Sequence, residues 1–180
     1  MKLDRFRFSL LAVVLFACLA WPAAAADLGG TAWDLAGTAK TKVKKVGREK
    51  MSLPTVTLSF FEDNTCVLSI EAPMSGPREV SLPGFDIGCT WSSRKGRRFT
   101  VDFDDEDLEA ALSQLFQYAL GLSPDGIDIT TEKAKGKVSR DMDRIKLKVG
   151  VKGMVQATLD GSPVERKAKL KLVLTGTPAD

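Results

Sequence analysis

"IKLKVGVKGMVQATL", residues 145–159, is the most regular stretch of the chain. Apolar or small residues occupy every second position from Ile145 to Leu159, and lysines fill several of the positions between them. A period of two is typical of a β-strand whose one face is buried while the other faces water. Gly150 and Gly153 are places where so long a strand can bend.

The same alternation recurs along most of the chain, interrupted by turn residues. Residues 33–44 predict the first strand, and residues 127–138 predict a strand that changes phase near Thr131 through a bulge. Residues 55–71 predict a hairpin that turns at "EDNT", and residues 72–84 form a Pro/Gly/Ser-rich loop. Residues 86–103 predict a second hairpin that turns at Lys95–Gly96, and residues 167–174 predict a last strand after the turn "DGSP".

Residues 104–121, "DDEDLEAALSQLFQYALG", break this rhythm. Apolar residues recur there at spacings of three and four, which predicts an amphipathic helix. The acidic start suits the positive end of the helix dipole, and Gly121 permits a left-handed stop.

The sequence therefore predicts a mostly β protein of about eight antiparallel strands, with the helix between strands five and six. Short hairpin connections favour an up-and-down meander that forms a barrel or a strongly curved sheet. The interior of such a barrel is either filled by side chains or holds one small ligand.

Residues 1–26 have the features of a secretory signal peptide. Lys2, Arg5 and Arg7 precede an apolar run, and small residues lead to Ala26. We expect cleavage near Ala26, a single domain over residues 27–180, and a periplasmic or secreted location. The alternative is a lipoprotein anchored through Cys18, because Leu15 stands three residues before this cysteine.

Charge sets limits on the partners. The chain has a net charge of +3 and, without the leader, +1, so no strong overall field draws it to nucleic acid.

The alternating lysines predict the solvent-exposed face of long strands, where lysine also discourages edge-to-edge pairing of sheets. The alternative is a basic patch that binds an anionic envelope component through Lys146, Lys148, Lys167, Lys169 and Lys171. No aromatic residues interleave with these lysines to stack bases, which argues against nucleic acid.

Catalytic patterns are weak. The chain contains no histidine, which removes the usual nucleophile–base arrangements and most zinc or haem sites. The acidic residues 104–107 lack the ligand spacing of a calcium loop, and the Ser92–Lys95 spacing runs into a turn without companion motifs. We expect no enzyme, no metal and no cofactor.

Cys66 and Cys89 fall on the inward phase of two successive strands. In an exported protein the two cysteines form a disulfide or remain as two buried thiols; we expect the disulfide.

The aromatic residues also lie on the inward phase. They either fill the core or line an apolar cavity closed by the helix; the candidate cavity residues are Trp33, Phe60, Trp91, Phe99, Phe103, Leu112 and Phe116.

"LGGTAWDLAG", residues 28–37, resembles the Gly-x-Trp strand entrance of bacterial exported lipocalin-like (calycin-like) β-barrel proteins. The resemblance covers about ten residues and the architecture; here the Gly30–Trp33 spacing is one residue longer and the helix lies mid-chain. It implies an apolar ligand inside the barrel.

Two function hypotheses follow. One is a periplasmic lipocalin-like binding protein for a lipid or another apolar small molecule. The other is a non-catalytic cell-envelope interaction or structural protein with a filled core and a basic outer face. The oligomeric state has no signature in the sequence.

Overall fold

The computed structural model describes residues 27–71, 84–94, 97–159 and 161–180. Within these ranges the chain forms β1 (Thr31–Val43), β2 (Gly47–Phe60), β3 (Thr65–Ile70), β4 (Phe85–Arg94), β5 (Arg98–Phe103), α1 (Asp105–Leu120), β6 (Pro124–Val138), β7 (Ile145–Leu159) and β8 (Ser162–Pro178). The predicted leader with Cys18, most of the predicted loop at 72–84, and the Lys95–Gly96 turn lie outside the described residues.

The strands close into one antiparallel barrel in sequence order, because β8 pairs with β1. The predicted meander and the helix between the fifth and sixth strands are confirmed. The choice that the sequence left open between a barrel and a curved sheet is resolved in favour of a closed barrel.

Burial follows the alternation of the sequence. In β7 the apolar residues Ile145, Leu147, Val149 and Val151 are buried while Lys146, Lys148 and Lys152 are exposed. In β6 the pairing shifts between Ile129 and Thr131, as the phase change predicts, and the strand then buries Ala134, Gly136 and Val138.

β2 is longer than the sequence indicates. Residues 47–54 belong to it and pair with β1, and their inward residues Met51 and Leu53 are buried. Pro54 is the reason that the strand is hard to predict, since proline is disfavoured inside a sheet. The first half of β2 thus adds two outward bases, Arg48 and Lys50, beside β1.

α1 begins and ends as its capping residues predict. The Asp104 carboxylate accepts hydrogen bonds from the backbone N–H groups of Glu106 and Asp107, and Gly121 ends the helix in the left-handed conformation with φ of 64°. The helix contacts β6, β2, β4 and β1, at the end of the barrel where the β1–β2 and β7–β8 turns also lie. In the described part of the chain, no helix combines the length and the apolar character that crossing a membrane requires.

Cys66 and Cys89 form a disulfide between directly opposed positions of β3 and β4, with a Cα–Cα distance of 4.8 Å. The predicted bridge is therefore present, and it is consistent with a protein exported to an oxidising compartment.

The seam between β5 and β6 is the shortest ladder of the barrel. Only Arg98–Val101 of β5 pair with β6, against Ala134–Lys137. Phe99 stands opposite Gly136, and its ring covers the glycine so closely that a Cβ atom there would overlap it. An aromatic ring over a strand glycine is a recognised way of building a tightly coiled sheet.

Removal of the disulfide should destabilise the fold without changing its topology. The bridge closes a segment with a sequence separation of 23. On the chain-entropy model, Cys66→Ala/Cys89→Ala should lower the free energy of unfolding by about 3 kcal/mol. Urea unfolding followed by circular dichroism measures the difference. An unchanged midpoint would mean that the bridge contributes nothing to stability.

Gly136→Ala tests the seam. The new methyl group must displace the Phe99 ring, so the free energy of unfolding should fall by about 1–3 kcal/mol, as for other overpacked cores. Gly150→Ala on the neighbouring strand is the matched control: no atom lies within 4 Å of the Cβ position there. The control should be neutral or stabilising by up to about 1 kcal/mol. Equal effects of the two substitutions would contradict the proposed seam packing.

Candidate functional site: the barrel interior and the basic wall

The five aromatic residues predicted to line a cavity are all buried inside the barrel. Phe60 lies at the centre of three of them. Its ring centroid is 5.4 Å from that of Trp91 and 5.3 Å from that of Phe99, both in edge-to-face geometry. Rings at this distance stabilise each other as well as burying area. The structure thus packs these three residues against one another.

The polar atoms of the two described tryptophans are already bonded within the protein. Trp33 Nε1 donates to Thr31 Oγ1 at 3.0 Å, and Trp91 Nε1 donates to the backbone oxygen of Phe61 at 3.3 Å. Neither indole N–H group is therefore left to bind a molecule in the barrel.

The helix fills the end of the interior. Leu112 and Phe116 face Ile127 of β6, Val151 of β7 and Leu170 of β8 across a residual space of about 10 Å³. That volume is about what one water molecule needs, and far below the several hundred Å³ of a small-molecule pocket. The predicted lid residues thus pack directly onto the barrel wall.

Three buried polar side-chain atoms have no hydrogen-bond partner among the described residues, namely Thr41 Oγ1, Gln114 Oε1 and Arg166 Nε, and Thr41 is the residue among these that is buried as a whole. The Thr41 side chain is fully buried, and its Oγ1 atom makes no hydrogen bond. Thr41 lies between Glu49 of β2 and Leu170 of β8 in the strand register. A buried hydroxyl without a partner lowers stability.

Glu132 holds the seam where the β5–β6 ladder ends. It pairs with inward-facing Val151 and accepts a hydrogen bond from the Phe103 backbone N–H at 3.3 Å. Partial burial raises the pKa of the Glu132 carboxyl; the Phe103 bond opposes this, and the charges of Asp102 and Asp105 add to it. The Glu132 carboxylate therefore accepts the Phe103 N–H at a position where β5 no longer pairs with β6.

The acidic cluster at residues 104–107 forms the N-cap and the first turn of α1. Besides the Asp104 cap, Asp107 Oδ2 accepts a hydrogen bond from the Gly88 backbone N–H at 2.8 Å, which ties the helix to β4. Among the residues that the structure describes, no group of three or more potential ligands is arranged to hold a metal ion.

The outer surface carries the most distinctive feature, which we call the basic wall. It consists of the exposed bases on five adjoining strands: Lys40, Lys42, Arg48, Lys50, Lys133, Lys135, Lys137, Lys146, Lys148, Lys152, Lys167, Lys169 and Lys171. The five lysines predicted to bind an anionic partner all belong to it. The β1 lysines join the same surface because β1 pairs with β8.

Many of these bases stand directly opposite one another. One row crosses four strands through Arg48, Lys42, Lys169 and Lys152. A second row crosses three strands and consists of Lys50, Lys40 and Lys171. Two further pairs join β6 to β7, Lys135 with Lys148 and Lys137 with Lys146. The second pair continues beyond the wall, because Arg98 of β5 stands opposite Lys137 and Arg94 of β4 stands opposite Arg98.

Acidic residues do not interrupt these rows. The outward positions between neighbouring wall bases hold no aspartate or glutamate. Across the described ranges, the one ion pair within 4 Å is the exposed Arg144–Asp143 contact in the β6–β7 turn. Within its rows the wall is therefore a surface of a single sign, and the exposed Glu165 lies at its edge, two residues before Lys167 on β8.

Acidic side chains gather on the opposite side of the barrel. This acidic sector comprises exposed residues of β4, β5 and the start of α1: Asp86, Asp102, Asp104, Asp105 and Asp107. β4 is four strands from β8 in either direction around the barrel. Arg94 and Arg98 lie on the same two strands, and other exposed carboxylates lie on the wall strands at Asp34, Asp128 and Glu165. The outer charge is therefore uneven around the barrel, with the longest rows of bases crossing β1, β8 and β7.

Sequence reasoning missed part of the wall. The predicted strands do not include Arg48 and Lys50, which lie on β2 and alternate with inward-facing Met51 and Leu53. Which bases stand opposite one another depends on the register between strands, and the pattern within a single strand does not specify that register.

Comparisons with protein-family models and with curated protein sequences find no match. The fold and the site define a closed eight-stranded antiparallel barrel with a packed interior and a basic outer wall.

Thr41→Val tests whether the interior is as dry as its packing indicates. Replacing the unpaired hydroxyl by a methyl group of similar size should raise the free energy of unfolding by about 1 kcal/mol. Thr175→Val, an exposed change on β8, should stay within about 0.5 kcal/mol of the parent. A loss of stability in Thr41→Val, measured by urea unfolding, would contradict the unpaired hydroxyl, because it would mean that Oγ1 has a hydrogen-bond partner inside the barrel.

Proposed function

We propose that this protein is a non-catalytic cell-envelope protein that binds an anionic partner through the basic wall. The observation that carries the proposal is the strand register, which sets lysine opposite lysine on adjacent strands. The disulfide supports an exported location, and residues 1–26 supply the matching leader, cleaved near Ala26 or processed at Cys18.

Opposed like charges are unfavourable in a sheet. Charged residues directly opposite each other on paired strands stabilise the sheet when their signs differ and destabilise it when they agree, by about 0.2–1 kcal/mol per pair. Ordinary surfaces intersperse both signs. A solvated strand face needs polar residues and does not need them all to be basic, so the single sign points to an anionic partner.

The filled interior supports binding on the outside. The aromatic residues contact one another, and the helix leaves about 10 Å³ beside Leu112 and Phe116. Larger depressions, of about 340–510 Å³, involve surface residues such as Lys146, Thr100 and Asp107.

A carrier of an apolar ligand is the second candidate. The closed barrel is compatible with it, and the unpartnered Thr41 hydroxyl is the observation in its favour. This function would require α1 to leave the barrel end, because its side chains occupy the space that a ligand would fill.

The test uses two variants that each remove two positive charges. Lys152→Gln/Lys169→Gln removes an opposed pair from the wall, and Arg94→Gln/Arg97→Gln removes two bases beside the β4–β5 turn, neither of which pairs with a wall base. Binding to heparin, a soluble polyanion, is measured by titration at several salt concentrations. We expect the wall variant to bind severalfold more weakly and the control to bind almost as the parent does.

The wall variant should also be the more stable protein. Loss of the repulsion should raise its free energy of unfolding by about 0.5 kcal/mol at low salt, and the gain should shrink as salt screens the charges. A wall variant that loses stability, or an equal loss of heparin affinity in both variants, would contradict the proposed role of the wall.

A further inference from the structure

We infer that the anionic partner is the surface of a lipid bilayer, on which the barrel lies with β1, β8 and β7 facing the headgroups. This inference rests on the proposed function and specifies its partner.

The lysines of the wall suit a partner whose negative charge is spread over a surface. Every base of the wall except Arg48 is a lysine. Arginine and aromatic side chains are enriched in protein–protein interfaces and lysine is depleted there, because the guanidinium makes directed, bidentate bonds. Lysine is a hydrated point charge on a flexible stem, and such bases are attracted to anionic membrane surfaces without directed bonds.

The shape of the wall suits a plane. Its central rows run across β1, β8 and β7 on the convex outside of a closed barrel, so they form a ridge. A flat surface can approach β8 and its two neighbours together. The bases on β2 and β6 stand further round the barrel, where their attraction weakens over a Debye length of about 8 Å.

An exposed apolar residue stands within the wall. Val173 is 41% exposed, and it is one of two large exposed apolar side chains among the described residues. It follows Lys171 on the outward face of β8 and pairs with Lys148 of β7. At a bilayer surface this side chain would contact the boundary between headgroups and acyl chains, where an apolar group is favoured.

The acidic sector sets the orientation. With β8 against a plane, Asp86, Asp102 and Asp107 point away from it, so attraction and repulsion favour the same pose. A flexible polyanion that wrapped around the barrel would meet these carboxylates. The charge distribution therefore favours a planar partner over a nucleic acid.

The experiment is co-sedimentation with vesicles of phosphatidylglycerol and phosphatidylcholine, compared with vesicles of phosphatidylcholine alone. The parent protein should sediment with the anionic vesicles, and added salt should release it. Each base near an anionic surface contributes enough attraction that Lys152→Gln/Lys169→Gln should bind about 10- to 30-fold more weakly. Arg94→Gln/Arg97→Gln should bind within about twofold of the parent, since those bases lie at the β4–β5 turn, three to four strands from β8. Val173→Ser should weaken binding severalfold at unchanged charge.

The outcomes separate this inference from the proposed function. Binding to heparin without binding to anionic vesicles would overturn the bilayer inference and leave the proposed function intact. Binding to neither would overturn both. Equal binding to neutral and anionic vesicles, or an equal loss in the wall and control variants, would overturn the oriented pose. Unfolding curves of all variants confirm that each is folded.

Discussion

Closure of the barrel at the β5–β6 seam is the constraint on which the rest of the structure depends. β5 and β6 share four paired positions, and at one of them the Phe99 ring lies over Gly136. The same ring packs edge to face on Phe60, so the seam and the aromatic core share one side chain. Beyond the ladder, Glu132 accepts the Phe103 N–H, and the chain departs into α1. The helix thus follows the point where β5 stops pairing with β6, and its apolar face completes the core.

Closure also determines the outer surface. In an open sheet, β1 and β8 would be distant edges with separate sets of lysines. In the barrel they are partners, and the lysines from both ends of the chain form one continuous wall. The opposed lysines are unfavourable for the sheet itself, so stability and the proposed binding role act in opposite directions at the same residues. The buried apolar alternation of the same strands supplies the compensating stability.

The local patterns of the chain predict most of the elements. Alternation placed the strands, the three-and-four spacing placed α1, and the inward phase of Cys66 and Cys89 predicted their bridge. The alternation does not predict the first half of β2, because Pro54 interrupts the pattern there. Closure could not be deduced, since it depends on the register between strands far apart in sequence and on the fit of Phe99 to Gly136. The inward phase of the five aromatic residues agrees with their burial. Whether these residues enclose a cavity depends on how α1 packs against the barrel, and the spacing of residues along the chain does not specify that packing.

The central claim is that this barrel is filled and binds its partner on the outside. The most direct measurement is the fluorescence of Trp33 and Trp91, in protein lacking the predicted leader, titrated with a long-chain fatty acid. Both indoles are buried in the interior. We expect no saturable change in emission below the concentration at which the fatty acid forms micelles. A saturable shift at one ligand per protein, abolished by a bulky substitution inside the barrel, would contradict it and establish an apolar carrier.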